Sequence, residues 1–252
     1  YTNQLSKYGI TTEATATPRT SCERYTFPAG EGHSILNLGQ GLTNESGAMV
    51  RRVSSTEVEG MKLLGTFCYT TQAVFPIYFV MRVSHEPSTA GPWKFQPKLQ
   101  GVESAWSPDD GTYKLYENYH REIAGDDIGY RFSYDDLGEG EQVTVRMGVS
   151  FVSIENARMN LEAEQQGKTF DQLRAEATAQ WNRDLGRIRI EGGTSDQQTI
   201  FYTALYHALI HPSIISDVNG EYPKMESGDT GKADYTRYSV FSLWDTYRNL
   251  HP

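Results

Sequence analysis

Apolar and polar residues alternate with a period of two through the first half of the chain, then recur at three- and four-residue intervals from about residue 154. In the first half, Phe75, Ile77, Phe79, Met81 and Val83 share one face of an extended segment. Val143, Val145, Met147, Val149 and Phe151 repeat the pattern, with Thr144, Arg146, Gly148 and Ser150 opposite, and Ile128, Tyr130, Phe132 and Tyr134 supply a third case. This is the signature of half-buried strands. Shorter candidates are Thr11–Thr17, Arg24–Phe27 after the break at Pro18-Arg19, His33–Leu38, Met49–Val58 and Met61–Tyr69, with Gly60 read as the turn between the last two. Seven or so strands joined by short turns predict an antiparallel β-sandwich rather than a parallel sheet.

Glu86–Asp127 reads as one long irregular connection, rich in Pro, Gly and Asp and holding Trp93 and Trp106. Trp106 beside Asp109 and Asp110 suits either a sugar contact or a calcium-facing acidic turn. A surface loop tied down by its aromatics explains the same residues more simply, and Asp-Asp-Gly falls far short of an EF-hand ligand series.

The period changes at Ile154. Thr169 is placed to cap a helix whose apolar stripe is Phe170, Leu173, Ala177, Trp181 and Leu185, and the polar link Glu162–Lys168 divides the helical region in two. Ile188 and Ile190 read as a brief extended stretch closed by Gly192-Gly193. Ser195-Asp196-Gln197-Gln198 has capping-box spacing and starts the next helix, with Ile200, Phe201, Ala204, Leu205, Ala208 and Leu209 on its broad apolar face. His207 and His211 stand at i, i+4, but Ala208 occupies the place of the zincin glutamate. We therefore read both as structural rather than as metal ligands.

Composition narrows the picture. The 252 residues are 38% apolar and 12% aromatic, enough to fill a core. A net charge of −9 argues against nucleic acid or an anionic membrane as partner. No apolar run approaches a membrane span, and no signal peptide opens the chain. Cys22 and Cys68 permit one disulfide, though two buried thiols serve equally. The lack of an initiating Met and the end at His251-Pro252 suggest an excised piece.

Polar chemistry and aromatic surface meet at Tyr235–Pro252, YTRYSVFSLWDTYRNLHP. Ser242 is placed to cap a helix, which would set Trp244 and Arg248 on one face with Asp245 beside them. An indole, a carboxylate and a guanidinium at a helix N-terminus suit a sugar-binding corner. They also suit a buried Asp–Arg pair beside a core tryptophan, and residue types alone favour that structural pair.

FSLWDTYRNLHP, FYTALYHALIHPSIISDVNGEY, VSFVSIENARMNLEAE, GYRFSY, HSILNL and TATPRTSCERYTFP, in their order and spacing, resemble glycoside hydrolase family 92, the calcium-dependent exo-acting α-mannosidases. The resemblance implies a β-sandwich over 1–153, a helical linker over 154–193, and the start of an (α/α)6 barrel over 194–252. It implies hydrolysis of terminal α-linked mannose with inversion, by an acid and a base held about 6.5–9.5 Å apart. Both lie downstream of residue 252 in the family, as do most calcium ligands, so no catalytic or metal residue is assigned here. The resemblance makes Trp244, Asp245 and Arg248 substrate contacts, with Asp217 and Tyr222 of the loop 212–236 as weaker candidates. Its further implications are α-mannoside glycans as partners and a bacterial periplasmic or surface location. The isolated chain should be inactive and poorly soluble, with part of a barrel's apolar face open. The same architecture hosts other glycosidases and phosphorylases, and a non-catalytic carbohydrate-binding module is the reading from a different class.

Overall fold

The computed structural model describes residues 1–39, 45–65, 74–98, 111–119, 121–225 and 227–239. In chain order the strands are β1 Thr2–Leu5, β2 Ile10–Ala16, β3 Thr20–Phe27, β4 Gly30–Asn37, β5 Glu45–Arg52, β6 Glu57–Leu64, β7 Phe75–Val83, β8 Thr89–Gln96, β9 Thr112–Leu115, β10 Ile123–Gly125, β11 Ile128–Leu137 and β12 Glu141–Ser150. Three helices follow, α1 Ile154–Gln165, α2 Phe170–Leu185 and α3 Ser195–Leu209, and then a small hairpin of β13 Glu221–Pro223 and β14 Thr230–Lys232. One sheet has the order β1-β2-β3-β12-β7-β6-β5-β10 and the other β4-β11-β8-β9. Every pairing within these sheets and within the hairpin is antiparallel. The predicted sandwich followed by helices is the observed architecture.

The core lies between the sheets. Phe27, Val50, Val58, Phe79, Met81, Val143 and Val145 of the larger sheet meet Leu36, Ile128, Tyr130, Phe132 and Tyr134 of the smaller. Burying each such aliphatic or phenyl side chain contributes about 1.5–3 kcal/mol. Burial raises the Tyr130 and Tyr134 hydroxyls, the latter to about 12, so both stay protonated in the core.

The outer face of the larger sheet is not left to solvent. Gly148, on the face of β12 opposite the core, lies under α1, where an added Cβ would sit 2.3 Å from the Ala157 carbonyl oxygen. Only glycine admits the helix so close. Ala157 and Leu161 thereby reach Val80, while Arg146 donates to the Gln165 and Lys168 carbonyls at the helix end. Arg158 of α1 bonds the buried Glu57 and Glu59 of β6, at 2.6 Å to the former. α2 docks by Phe170 and Leu173 on Cys22, with the Arg24 guanidinium 4.3 Å from the Phe170 ring centroid. Cys22 is a buried free thiol, raised first by burial; Cys68 lies outside the described residues.

Several local expectations are corrected. Gly60 is not a turn but the middle of β6, placed where a Cβ would meet the Met49 carbonyl oxygen at 2.0 Å. The turn is Val53–Thr56, closed by the Val53 and Ser54 amides on the Glu57 carbonyl. The long connection 86–127 contains β8, β9 and β10, and β8 is an interior strand between β11 and β9 despite Gly91-Pro92. Pro92 still offers its carbonyl, which accepts the Tyr116 amide. The α3 capping box is Thr194 with Gln197, one residue earlier than the Ser195 reading. Gly192 and Gly193, both at positive φ, deliver Thr194 in the extended cap conformation. Ile188 and Ile190 pair with no strand among the described residues. Thr169 caps α2 as predicted, with Gln172 completing the box, and the helical region is divided before it. α3 leaves its apolar face open, with Ile200 68% and Leu209 45% exposed. No described helix is long and apolar enough to cross a membrane.

Candidate functional site

The site is assembled where the end of β12, the first turns of α1 and the loop after α3 come together. Ser153 caps α1 by accepting the Asn156 amide at 3.0 Å. That cap starts the helix with Asn156 and Asn160, one turn apart, facing the chain beyond α3. Both amides are buried, and both donate to Asp217: Asn156 at 2.8 Å to Oδ2 and Asn160 at 2.6 Å to Oδ1. Ser150, the last residue of β12, donates to Oδ2 at 2.7 Å. Asn160 also donates to the Val149 carbonyl and accepts the Val218 amide.

Asp217, one of the residues the sequence nominated for sugar contact, is thus 5% exposed and engaged by three donors of its own chain. The signal for its partners was present but unused: two asparagines at i, i+4 interrupt the apolar face of α1, and a buried carboxylate requires such donors.

A second clamp lies beside the first. Arg19, in the β2–β3 turn, donates to the Ser216 carbonyl at 2.6 Å and pairs with Glu164 of α1 at 2.9 Å. From this base the loop runs out and back. The Ile215 amide bonds the Arg237 carbonyl, Ser239 bonds Ser213, and Ile214 bridges Tyr238. The Ser216 hydroxyl accepts the Arg237 amide at 3.0 Å. Between the two legs, β13 and β14 pair Tyr222 with Gly231, whose missing side chain leaves room for the tyrosine ring.

Tyr222, the other loop nominee, is half-buried, with the Arg237 guanidinium 5.2 Å from its ring centroid. Arg237 also reaches the Tyr235 hydroxyl at 3.5 Å, and Tyr235 and Tyr238 are exposed. The outer side of the loop therefore presents tyrosine rings around a guanidinium, a surface that can cover an apolar sugar face and donate to its hydroxyls. Glu221 accepts from Asn156 at 2.9 Å, and the Asn156 and Asn219 bonds hold its carboxyl below the ordinary value. It stays ionised, an acceptor rather than a proton donor. Beside the loop, a cleft of about 570 Å³ opens between the β2–β3 turn, α2 and the end of α3, lined by Trp181, Asp184, Arg187, Pro212 and Tyr238. Trp181 packs on Tyr206 at 4.8 Å between centroids, joining α2 to α3.

Trp244, Asp245 and Arg248 lie outside the described residues, as do Trp106, Asp109 and Asp110. Among the described residues, no group of three or more His, Cys, Asp or Glu side chains is arranged to hold a metal ion.

Residues 1–150 match the glycosyl hydrolase family 92 N-terminal domain, and residues 156–252 match the family 92 catalytic domain. A family GH92 alpha-mannosidase from Bacteroides thetaiotaomicron superimposes with a TM-score of 0.83 and 28% identity, over 100% of this chain and 32% of its own. A family GH92 inverting mannosidase from the same organism shares the fold at TM-score 0.81 and 24% identity, over 100% of this chain and 31% of its own. An uncharacterised secreted glycosidase of Arthroderma benhamiae is 35% identical over 112 residues, 43% of this chain and 14% of the relative. The chain thus spans about a third of the length of these solved relatives. With both of its parts matched in order, the chain belongs to glycosyl hydrolase family 92.

Proposed function

We propose that the polypeptide carrying these residues is an exo-acting α-mannosidase that releases terminal mannose with inversion and requires calcium. The observation that carries this reading is the superposition of the whole chain on a GH92 alpha-mannosidase at 28% identity. The sandwich and helices described above act as the frame, and the loop 213–239 brings Tyr222 and Arg237 to one surface. Trp244, Asp245 and Arg248 follow this loop in sequence and are proposed as the principal contacts to the terminal mannose, with Tyr222 as a flanking ring. Inversion needs a protonated acid on the leaving oxygen and a base on the attacking water. Glu221, held ionised, does not supply the acid. No described residue is assigned to either role.

Calcium is proposed from the family resemblance. Among the described residues no three His, Cys, Asp or Glu side chains converge to hold it. Action on glycans outside the cytoplasm is proposed from the secreted fungal relative.

The test is mannose release by the full-length polypeptide from α-1,2-, α-1,3-, α-1,4- and α-1,6-linked mannobiosides, with calcium and then with a chelator. Release that stops on chelation and returns with calcium supports the reading, and NMR of the first-formed anomer decides inversion. Sugar binding without release would sink the catalytic claim.

A further inference from the structure

We propose that Asp217 is a positioning residue that fixes the loop 213–239 to the sandwich, and through it the glycan-contacting surface, without touching substrate. The proposal rests on the mannosidase reading for its activity readout only.

The geometry carries it in three steps. First, the carboxylate is engaged from within: three side-chain donors from β12 and α1 reach it, two on Oδ2 and one on Oδ1, and the residue is buried. With only 5% of the residue exposed, a sugar hydroxyl could reach it only by displacing the side chains that cover it, leaving their buried donors unpaired. Second, the backbone of Asp217 is tied into the hairpin. Its amide bonds the Glu221 carbonyl at 2.8 Å, and its carbonyl accepts the Gly220 amide at 2.9 Å. Third, the residues just before Asp217 pair with the returning leg through Ser213, Ile215 and Ser216, as far as Ser239. Displacing Asp217 therefore displaces Tyr222 and Arg237 on one side and Ser239, which leads directly into residue 240, on the other. Arg19 on Ser216 is a second tether, so the loop should loosen rather than detach.

The test uses the full-length enzyme with Asp217→Asn, Ser150→Ala and the double variant. Asp217→Asn keeps the volume but places an amide donor where other donors converge. Ser150→Ala removes one of the three donors, together with the hydroxyl that accepts the Val152 and Ser153 amides, and is the smaller change should the first fail to fold. Two quantities are read: hydrogen-exchange protection of the Ile215, Val218 and Ser239 amides, and kcat and KM for mannobioside hydrolysis well below the melting temperature.

We expect Asp217→Asn to lower protection at these amides at least tenfold and kcat/KM about tenfold. Ser150→Ala should produce a smaller loss of the same kind, and the double variant should be no worse than Asp217→Asn alone. Lost protection with unchanged kcat and KM would reduce Asp217 to a stability residue and overturn the proposal. Lost activity in Asp217→Asn with full protection and a fully active Ser150→Ala would make it a substrate contact and overturn it equally. If the wild-type enzyme releases no mannose from any linkage, the mannosidase reading fails. The exchange data then still decide whether Asp217 holds the loop, with unchanged protection overturning that claim.

Discussion

Substituting Gly148 by alanine should lift α1 from the sheet, and the size of the effect can be worked from the contacts. The new Cβ would lie 2.3 Å from the Ala157 carbonyl oxygen and 2.7 Å from the Leu161 Cβ, against about 3.4 Å for an ordinary contact. The helix must therefore move out by roughly 1 Å, because both obstacles are near the helix backbone and neither is the end of a flexible side chain. A gap of that size forfeits about a quarter to a half of each van der Waals contact along the seam of Val80, Ala157 and Leu161. It also stretches the Asn160 bond to the Val149 carbonyl, now 2.8 Å. Overpacking of this kind costs about 1–3 kcal/mol, and a weakened buried hydrogen bond adds about 1 kcal/mol.

We expect about 3 kcal/mol in all, equivalent to about a hundredfold loss of hydrogen-exchange protection for the α1 amides. Hydrogen exchange is the right assay because it reads α1 locally, whereas a multidomain melt need not be two-state. Gly138→Ala is the control: its Cβ would meet only the Glu141 carboxylate, at 3.4 Å, and should change nothing measurable. If Gly148→Ala kept full α1 protection, the helix would not be seated by close approach to β12 and the packing account would be wrong.

Arg158→Ala should destabilise by about 1–2 kcal/mol. It leaves Glu57 and Glu59 buried beside each other, and the partial exposure of Arg158 and the remaining pairs with Arg82 and Arg51 moderate the penalty. Adding Glu59→Gln should recover part of the loss in denaturant titrations, whereas a purely additive double variant would deny the coupling. Glu221 has a depressed folded pKa, so its contribution to stability is present above the ordinary carboxylate value of 4.5 and is lost as pH falls through the folded value. Glu221→Gln should flatten that acid-side slope, and a wild-type slope in the variant would assign the effect elsewhere. Cys22, buried with its thiol raised, should resist alkylation in the native protein and react after denaturation; native labelling mapped to Cys22 by mass spectrometry would contradict its seat under α2.

How much of this was legible in the sequence depended on whether the apolar alternation along a strand runs unbroken. β11 and the core face of β12 showed in the alternation because Ile128, Tyr130, Phe132, Val143 and Val145 face a single apolar core. β8 did not, since Gly91-Pro92 reads as a break and the strand is made by its neighbours on both sides. Gly60 was misjudged, and Gly148, correctly placed on the second face of β12, shows the physical reason. Glycine marks a turn in local statistics, but here it marks the approach of another backbone, which only the tertiary structure supplies. At the site, Tyr222 and Asp217 lie in one loop, yet burial and contact partners, which the sequence does not display, set them apart.

The case of α1 shows why a hydrophobic stripe is the wrong test for a helix at a domain junction. Its buried residues include Asn156, Asn160 and Gln165 beside Ala157 and Leu161. A purely apolar helix would pack as well on Val80, but it would leave the Val149 carbonyl, the Ser21 carbonyl and the Val218 amide without the partners that Asn160 and Gln165 provide. Those groups are exposed by the fold itself, because a sheet ends and a loop begins at the place α1 covers. The amides thus do for the junction what apolar side chains do for the core, and they do it directionally. An apolar contact tolerates sliding, whereas the bonds from Asn156, Asn160 and Ser150 onto one carboxylate fix both position and orientation. A scaffold that must present a loop in one place is better served by the second kind of contact, and α1 is built from it.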